Sequence, residues 1–120
     1  MTTLALCQKL QATKFVFSNE IELHLGIAQL LDGLGVHYQT EVIMTPEDRI
    51  DFLLNLDNEE KVGLEAKVDG SLASVTRQLW RYADSPLIDT LLLVTTRSKH
   101  RVQPAEMNGK PIFVVVLCPL

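Results

Sequence analysis

Three consecutive runs in which apolar residues recur at every second position constrain this chain more than any other feature. In 36–42, Val36, Tyr38, Thr40 and Val42 fall on one side. In 49–56, Ile50, Phe52, Leu54 and Leu56 oppose Asp51, Leu53 and Asn55; in 61–68, Leu64, Ala66 and Val68 oppose Glu65 and Lys67. A period of two marks strands with one face on a core. Short turns at 45–48 and 57–60 join the runs, which predicts an antiparallel three-stranded meander.

Helical spacing flanks the meander. Residues 4–13 read as a short helix with Leu4, Cys7 and Leu10 on one face. Asn19 with Glu22 three residues on fits a capping box, with Ser18 as the alternative cap, and starts a second helix. Its expected buried stripe is Ile21, Leu25, Ala28 and Leu31, joined by Leu23, Ile27, Leu30 and Leu34, and Gly33 and Gly35 end it. After the meander, Asp69-Gly70 breaks the strand, Ser71 caps a helix through about Ala83, and Pro86 stops it. Residues 91–96 form an apolar run typical of a strand buried on both faces; a basic loop at 97–101, a turn at Asn108-Gly109 and a last strand at 112–117 follow. A helix between strands implies a crossover to a parallel pair. The expectation is one α/β domain over 1–120, with a mixed central sheet of about five strands flanked by helices.

Composition agrees with a packed domain: 47% of residues are hydrophobic and 22% charged. No apolar run approaches the ~20 residues of a membrane-spanning helix, and no basic stretch precedes a long apolar run at the start. Cys7 and Cys118 have neither metal-ligand spacing nor a disulfide framework and read as small hydrophobes, so a reducing cytoplasm is the expected setting. The net charge of −4 is unevenly spread. Residues 1–60 carry three Lys/Arg against ten Asp/Glu, a net of −7, and residues 61–120 carry eight against five, a net of +3. That asymmetry allows a basic face on an acidic body.

Asp51, Glu65 and Lys67 interrupt otherwise apolar strands, where an uncompensated charge costs several kcal/mol. Glu65 and Lys67 share a face, roughly 6.5–7 Å apart along the chain. Counting inward from the turn at 57–60 sets Asn55 against Lys61 and Asp51 against Glu65. Two adjacent carboxylates repel unless a cation lies between them. A divalent metal with oxygen ligands removes the conflict; a salt-bridge cluster with Lys67 is the bland alternative.

Glu20 on a helix, Arg49-Ile-Asp51 opening a strand, and Gly63-Leu-Glu65-Ala-Lys67 on the next resemble the PD-(D/E)xK nuclease superfamily, most closely the archaeal-type Holliday junction resolvases. Gln78-Leu-Trp-Arg-Tyr82 is similar to the Gln-x-x-x-Tyr element of the RecB-like branch, while Ile50 stands where the family pattern has proline. The resemblance implies a restriction-endonuclease-like core and a Mg²⁺- or Mn²⁺-dependent DNA endonuclease selective for branched DNA. It further implies that Asp51, Glu65 and the Ala66 backbone carbonyl hold the metal. Glu20 would bind a metal-bound water or a second metal, and Lys67 would orient the attacking water. Symmetric cutting of two strands needs a two-fold dimer, for which Phe15-Val-Phe17 or 112–117 offers apolar edges.

Gln78 and Tyr82, four apart on one helix face, either support the metal site or form a half-buried surface. Arg77 and Arg81 repeat that spacing and suit phosphate contact or solvent. Ser71 could bind phosphate at its helix start or simply cap it. Arg97, Lys99 and Arg101, with Lys61, Arg77 and Arg81, make the candidate DNA-neutralising face. His24, one turn after Glu20, assists the metal or is structural; His37 has no assigned role, and Trp80 and Phe113 read as core or interface. The alternative functions are a non-catalytic nucleic-acid-binding or assembly module on the same scaffold, and a nuclease subunit of a larger complex.

Overall fold

The structure, a computed structural model, describes residues 1–117. Helices α1 (Thr3–Ala12) and α2 (Glu20–Gly33) precede the meander β1 (His37–Ile43), β2 (Arg49–Asn55) and β3 (Lys61–Lys67). Helix α3 (Leu72–Ala83) leads to β4 (Thr90–Thr95), a 3-10 turn (Ser98–Arg101), β5 (Glu106–Met107) and β6 (Lys110–Val116). The strands form one mixed sheet in the order β1-β2-β3-β4-β6-β5. The first three are antiparallel neighbours, β3 runs parallel to β4 and β4 to β6, and β5 hairpins onto β6. The expected mixed α/β sheet is present, with six strands rather than about five, because the two-residue β5 is too short to leave a hydrophobic period. Among the described residues, no helix is long and apolar enough to cross a membrane. Cys118 lies outside the described residues.

Two apolar layers hold the sheet. Leu6 and Leu10 of α1 and Leu23, Ile27 and Leu31 of α2 pack on Phe52, Leu54, Val62, Leu64, Leu92, Val94 and Val115. On the other face, Val75, Leu79, Tyr82 and Ala83 of α3 pack on Ile50, Leu91, Leu93 and Met107. β4 is buried throughout, as its unbroken apolar run predicts. In α2, Asn19 accepts the Glu22 N–H, while the Glu22 carboxylate reaches back to the Ser18 N–H and hydroxyl, so both candidate cap residues take part. The buried stripe of α2 is narrower than expected: Ile21 and Leu25 are 73% and 60% exposed, since α2 covers the sheet with its Leu23–Ile27–Leu31 side only. Trp80, expected in the core or an interface, is 42% exposed on α3. Phe113 is half-buried against the α1–α2 layer, as is Cys7, whose thiol burial pushes up to about 11.

Strict alternation fails at one place, and that place organises the site. Val36 and Tyr38 pack on the α1–α2 side, yet Val42 packs on the α3 side; likewise Phe52 and Leu54 face α2 while Ile50 faces α3. The expectation that each even-numbered set shares one face is therefore corrected between residues 40 and 42 and between 50 and 52. Pairs Thr40–Phe52 and Val42–Ile50 flank the change, and Glu41, at φ 52 in the left-handed region, interrupts the ladder opposite Asp51. The switch carries Ile50 across to β3, where a Cβ on Gly63 would lie 2.5 Å from Ile50 Cδ1. Only glycine fits there without displacing Ile50.

Candidate functional site

The parallel strands β3 and β4 end together at Lys67 and Thr95, and antiparallel β2 begins at this same end of the sheet. Open α/β sheets bind ligands beyond the carboxyl ends of their parallel strands. Here the β2–β3 ladder runs from Asn55–Lys61 to Phe52–Leu64 and then gives way to side chains. The Asp51 N–H donates to Glu65 Oε1 at 3.1 Å, and the Ala66 N–H donates to Asp51 Oδ2 at 2.7 Å. Asp51 and Glu65 thus meet across the hairpin as counting from the turn predicts, each carboxylate standing in for a strand carbonyl.

Glu65 is 3% exposed. Its Oε2 lies 3.2 Å from the Tyr82 hydroxyl and 3.4 Å from Lys67 Nζ, so the Glu-x-Lys pair meets on one face. Burial, and then the charge of Asp51, push the Glu65 carboxyl up to about 8 against the opposing pull of Lys67. The Tyr82 hydroxyl accepts a hydrogen bond from Gln78 Nε2 at 2.9 Å, and its single proton faces both the Arg49 carbonyl and Glu65. Burial first, and then the Glu65 charge, raise Tyr82 far above the ordinary phenol value. Gln78 and Tyr82 therefore form one chain of hydrogen bonds that ends on Glu65.

Around Asp51 the structure brings in Glu41, which is not among the residues expected there, and His24, expected either to assist the metal or to be structural. His24 Nε2 lies 3.2 Å from Asp51 Oδ2, with its ring edge-on to Phe52 at 5.9 Å between centroids. That nitrogen is shut off from solvent and has no well-directed hydrogen bond, so its contact with Asp51 is proximity without alignment. The adjacent Asp51 carboxylate raises the His24 pKa against the effect of burial, with smaller contributions from Glu20 and Glu41. His24, Glu41 and Asp51 each offer a ligand atom within 4.8 Å of the others and could hold a metal ion. The donor set fits a divalent cation: two carboxylates that repel one another and a ring nitrogen turned toward one of them without an aligned hydrogen bond. Glu20, one turn before His24, is half-buried, and its side chain makes no hydrogen bond or ion pair among the described residues. Glu41 was legible by the counting that paired Asp51 with Glu65, since 41 faces 51 across the turn at 45–48. The signal for His24 was its place one turn after Glu20.

The predicted basic residues divide into distinct roles. Arg81 forks onto Asp48, Nε to Oδ2 at 2.6 Å and Nη2 to Oδ1 at 3.1 Å, which ties α3 to the turn preceding β2. Asp48 is nearly buried, and its hydrogen bonds from Arg81, more than that from Thr45, hold its carboxyl below the usual carboxylate range. Arg81 is therefore a fold contact rather than a free phosphate ligand. Arg81→Ala is expected to cost about 1 kcal/mol, since the arginine is itself half in solvent. The Asp48 contribution is present above the unfolded carboxylate pKa and disappears as pH falls through the lower folded value, so urea unfolding should show a larger wild-type advantage at pH 7 than at pH 3.

Arg77, Lys99 and Arg101 are exposed. Arg97 donates from Nε to the Val68 carbonyl at 3.0 Å and lies 3.6 Å from Asp69. The expected loop at 97–101 contains the 3-10 turn, anchored by fully buried His100. Its ring bridges Thr95 Oγ1 at 2.6 Å and the Gly70 carbonyl at 2.7 Å. A carbonyl only accepts, so Nε2 donates to Gly70 while Nδ1 pairs with the Thr95 hydroxyl. This bridge fixes the basic turn beside the start of α3, at the same sheet end as Lys67. Ser71 caps α3 by accepting the Ser74 N–H at 3.1 Å. Comparison with known protein-family models, curated proteins and solved structures returned no match to this chain.

Proposed function

We propose that this protein is a divalent-metal-dependent deoxyribonuclease with a restriction-endonuclease-like core of the PD-(D/E)xK type, acting on branched DNA. One observation carries the reading: at the ligand-binding end of the sheet, the β2–β3 ladder is replaced by Asp51 and Glu65 carboxylates, with Lys67 Nζ 3.4 Å from Glu65. A structural salt bridge would not require two carboxylates to converge in a nearly closed site.

In this reading Asp51 and Glu65, the Ala66 carbonyl and the nearby His24 hold Mg²⁺ or Mn²⁺, with Glu20 acting through water. A divalent cation bound there would supply positive charge to the scissile phosphate and lower the pKa of bound water. Lys67 orients the attacking water and offsets charge that builds on phosphate oxygens. The Gln78–Tyr82 chain fixes the Glu65 carboxylate, so it acts by positioning. Arg77, Arg97, Lys99 and Arg101, with the α3 start at Ser71, receive the DNA backbone, which makes binding weaken as salt rises. Two copies related by two-fold symmetry would cut opposing strands of a junction.

Incubating the EDTA-stripped protein with four-way junction, flap, nicked and linear DNA tests this directly. Cleavage of branched substrates with Mn²⁺ or Mg²⁺, and none in EDTA, is expected. Absence of cleavage on every substrate with either metal, in protein that binds DNA, would leave the non-catalytic binding module as the better reading.

A further inference from the structure

Glu41 belongs to no motif, yet its carboxylate reaches the site. It lies on the edge strand β1 opposite Asp51, at φ 52, a conformation that side-chain-bearing residues seldom adopt. Its ligand oxygen falls within 4.8 Å of both an Asp51 oxygen and a His24 nitrogen. Glu41 is exposed, and its side chain makes no hydrogen bond or ion pair among the described residues. Nothing in the apolar packing asks for an acid here, and the charge sits where it repels Asp51. A cation shared by Glu41, Asp51 and His24 would remove that repulsion and satisfy the buried ring nitrogen.

The donor types narrow the choice of ion. Mg²⁺ prefers an all-oxygen octahedral shell rich in water, whereas an imidazole beside two carboxylates suits a transition metal, and Mn²⁺ accepts both donor types. We propose that Glu41 is a metal ligand, completing with Asp51 and His24 a donor set that takes Mn²⁺ in preference to Mg²⁺. This rests on the divalent-metal nuclease reading and adds to it a ligand from the edge strand and a cation preference. The competing arrangement is a protonated His24 that bridges the two acids with no metal bound by Glu41.

Mn²⁺ binding to the EDTA-stripped full chain, followed by the loss of the free-ion electron paramagnetic resonance signal, separates the two. Glu41→Gln is expected to weaken Mn²⁺ binding roughly tenfold or more and to bring the Mn²⁺ and Mg²⁺ affinities closer together. Glu41→Gly, which suits the left-handed backbone, should lose Mn²⁺ equally while melting in EDTA no lower than wild type. Mn²⁺ affinity unchanged in both variants, or Mg²⁺ displacing Mn²⁺ from wild type at equal concentration, would overturn the proposal. Binding that depends on Glu41 in a protein that cleaves no DNA would refute the nuclease reading and leave the ligand assignment standing. Unchanged binding in Glu41→Gln, together with cleavage that Glu65→Gln abolishes, would do the reverse.

Discussion

Glu65→Gln is expected to lower DNA cleavage by at least about 10²–10³-fold while making the metal-free fold more stable. The first effect follows from the role proposed for the carboxylate: glutamine keeps its shape and loses the charge that would hold a cation. Asp51→Asn and Lys67→Ala should lose activity on a similar scale, for the metal and the attacking water respectively. The second effect follows from geometry. Glu65 is 3% exposed and faces Asp51, and its pKa rises from an ordinary 4.5 to about 8, so the folded state disfavours the charged form despite Lys67 and the Asp51 N–H. A carboxyl with a raised folded pKa favours folding fully at pH below 4.5; between 4.5 and about 8 the folded state retains a proton the unfolded state has released. Stability of the metal-free protein should therefore fall across that window, by an amount on the order of a few kcal/mol, and Glu65→Gln should remove that fall. Urea unfolding in EDTA from pH 5 to pH 9 measures both. A variant less stable than wild type at pH 8 would mean that the charge of Glu65 stabilises the fold and does not strain it.

Phe52→Ala should have the largest effect on folding, a loss of about 3–5 kcal/mol. Phe52 is 1% exposed and sets its ring edge-on to His24 at 5.9 Å and to Tyr38 at 5.7 Å, so it joins α2 and β1 through β2. Domains of this size are stable by roughly 5–15 kcal/mol in all, so the variant should melt far below wild type. The same ring forms one wall beside His24. Phe52→Leu, which keeps most of the apolar volume, should cost less than about 1.5 kcal/mol and still loosen the imidazole. Chemical denaturation followed by circular dichroism checks the first value, and metal affinity of Phe52→Leu checks the second. A Phe52→Ala protein as stable as wild type would contradict the packing described here.

The meander, the helix caps and the convergence of Asp51 with Glu65 were legible because each depends on local rules: period, turn length and cap chemistry. What escaped depends on contacts between elements. Nothing in the residue type marks Glu41 as left-handed, so the face switch that sends Ile50 toward Gly63 and α3 could not be read from alternation. Arg77 and Arg81 look equivalent as an i, i+4 pair, yet only Arg81 reaches Asp48, because α3 lies against the turn before β2. Ile21 and Leu25 carry helical spacing but lie off the side of α2 that meets the sheet. His100 looked like one more basic residue in a loop, whereas its buried ring anchors the turn from within.

Anomalous diffraction from crystals grown with Mn²⁺ tests the central claim most directly, namely that these acidic side chains converge because a cation sits among them. A manganese peak should appear against Asp51, with Glu65 or the His24 and Glu41 groups turned onto it. Crystals that diffract well yet show no peak there, with Asp51 held only by its Ala66 contact and Glu65 held only by Tyr82 and Lys67, would contradict the claim and leave the cluster as part of the scaffold.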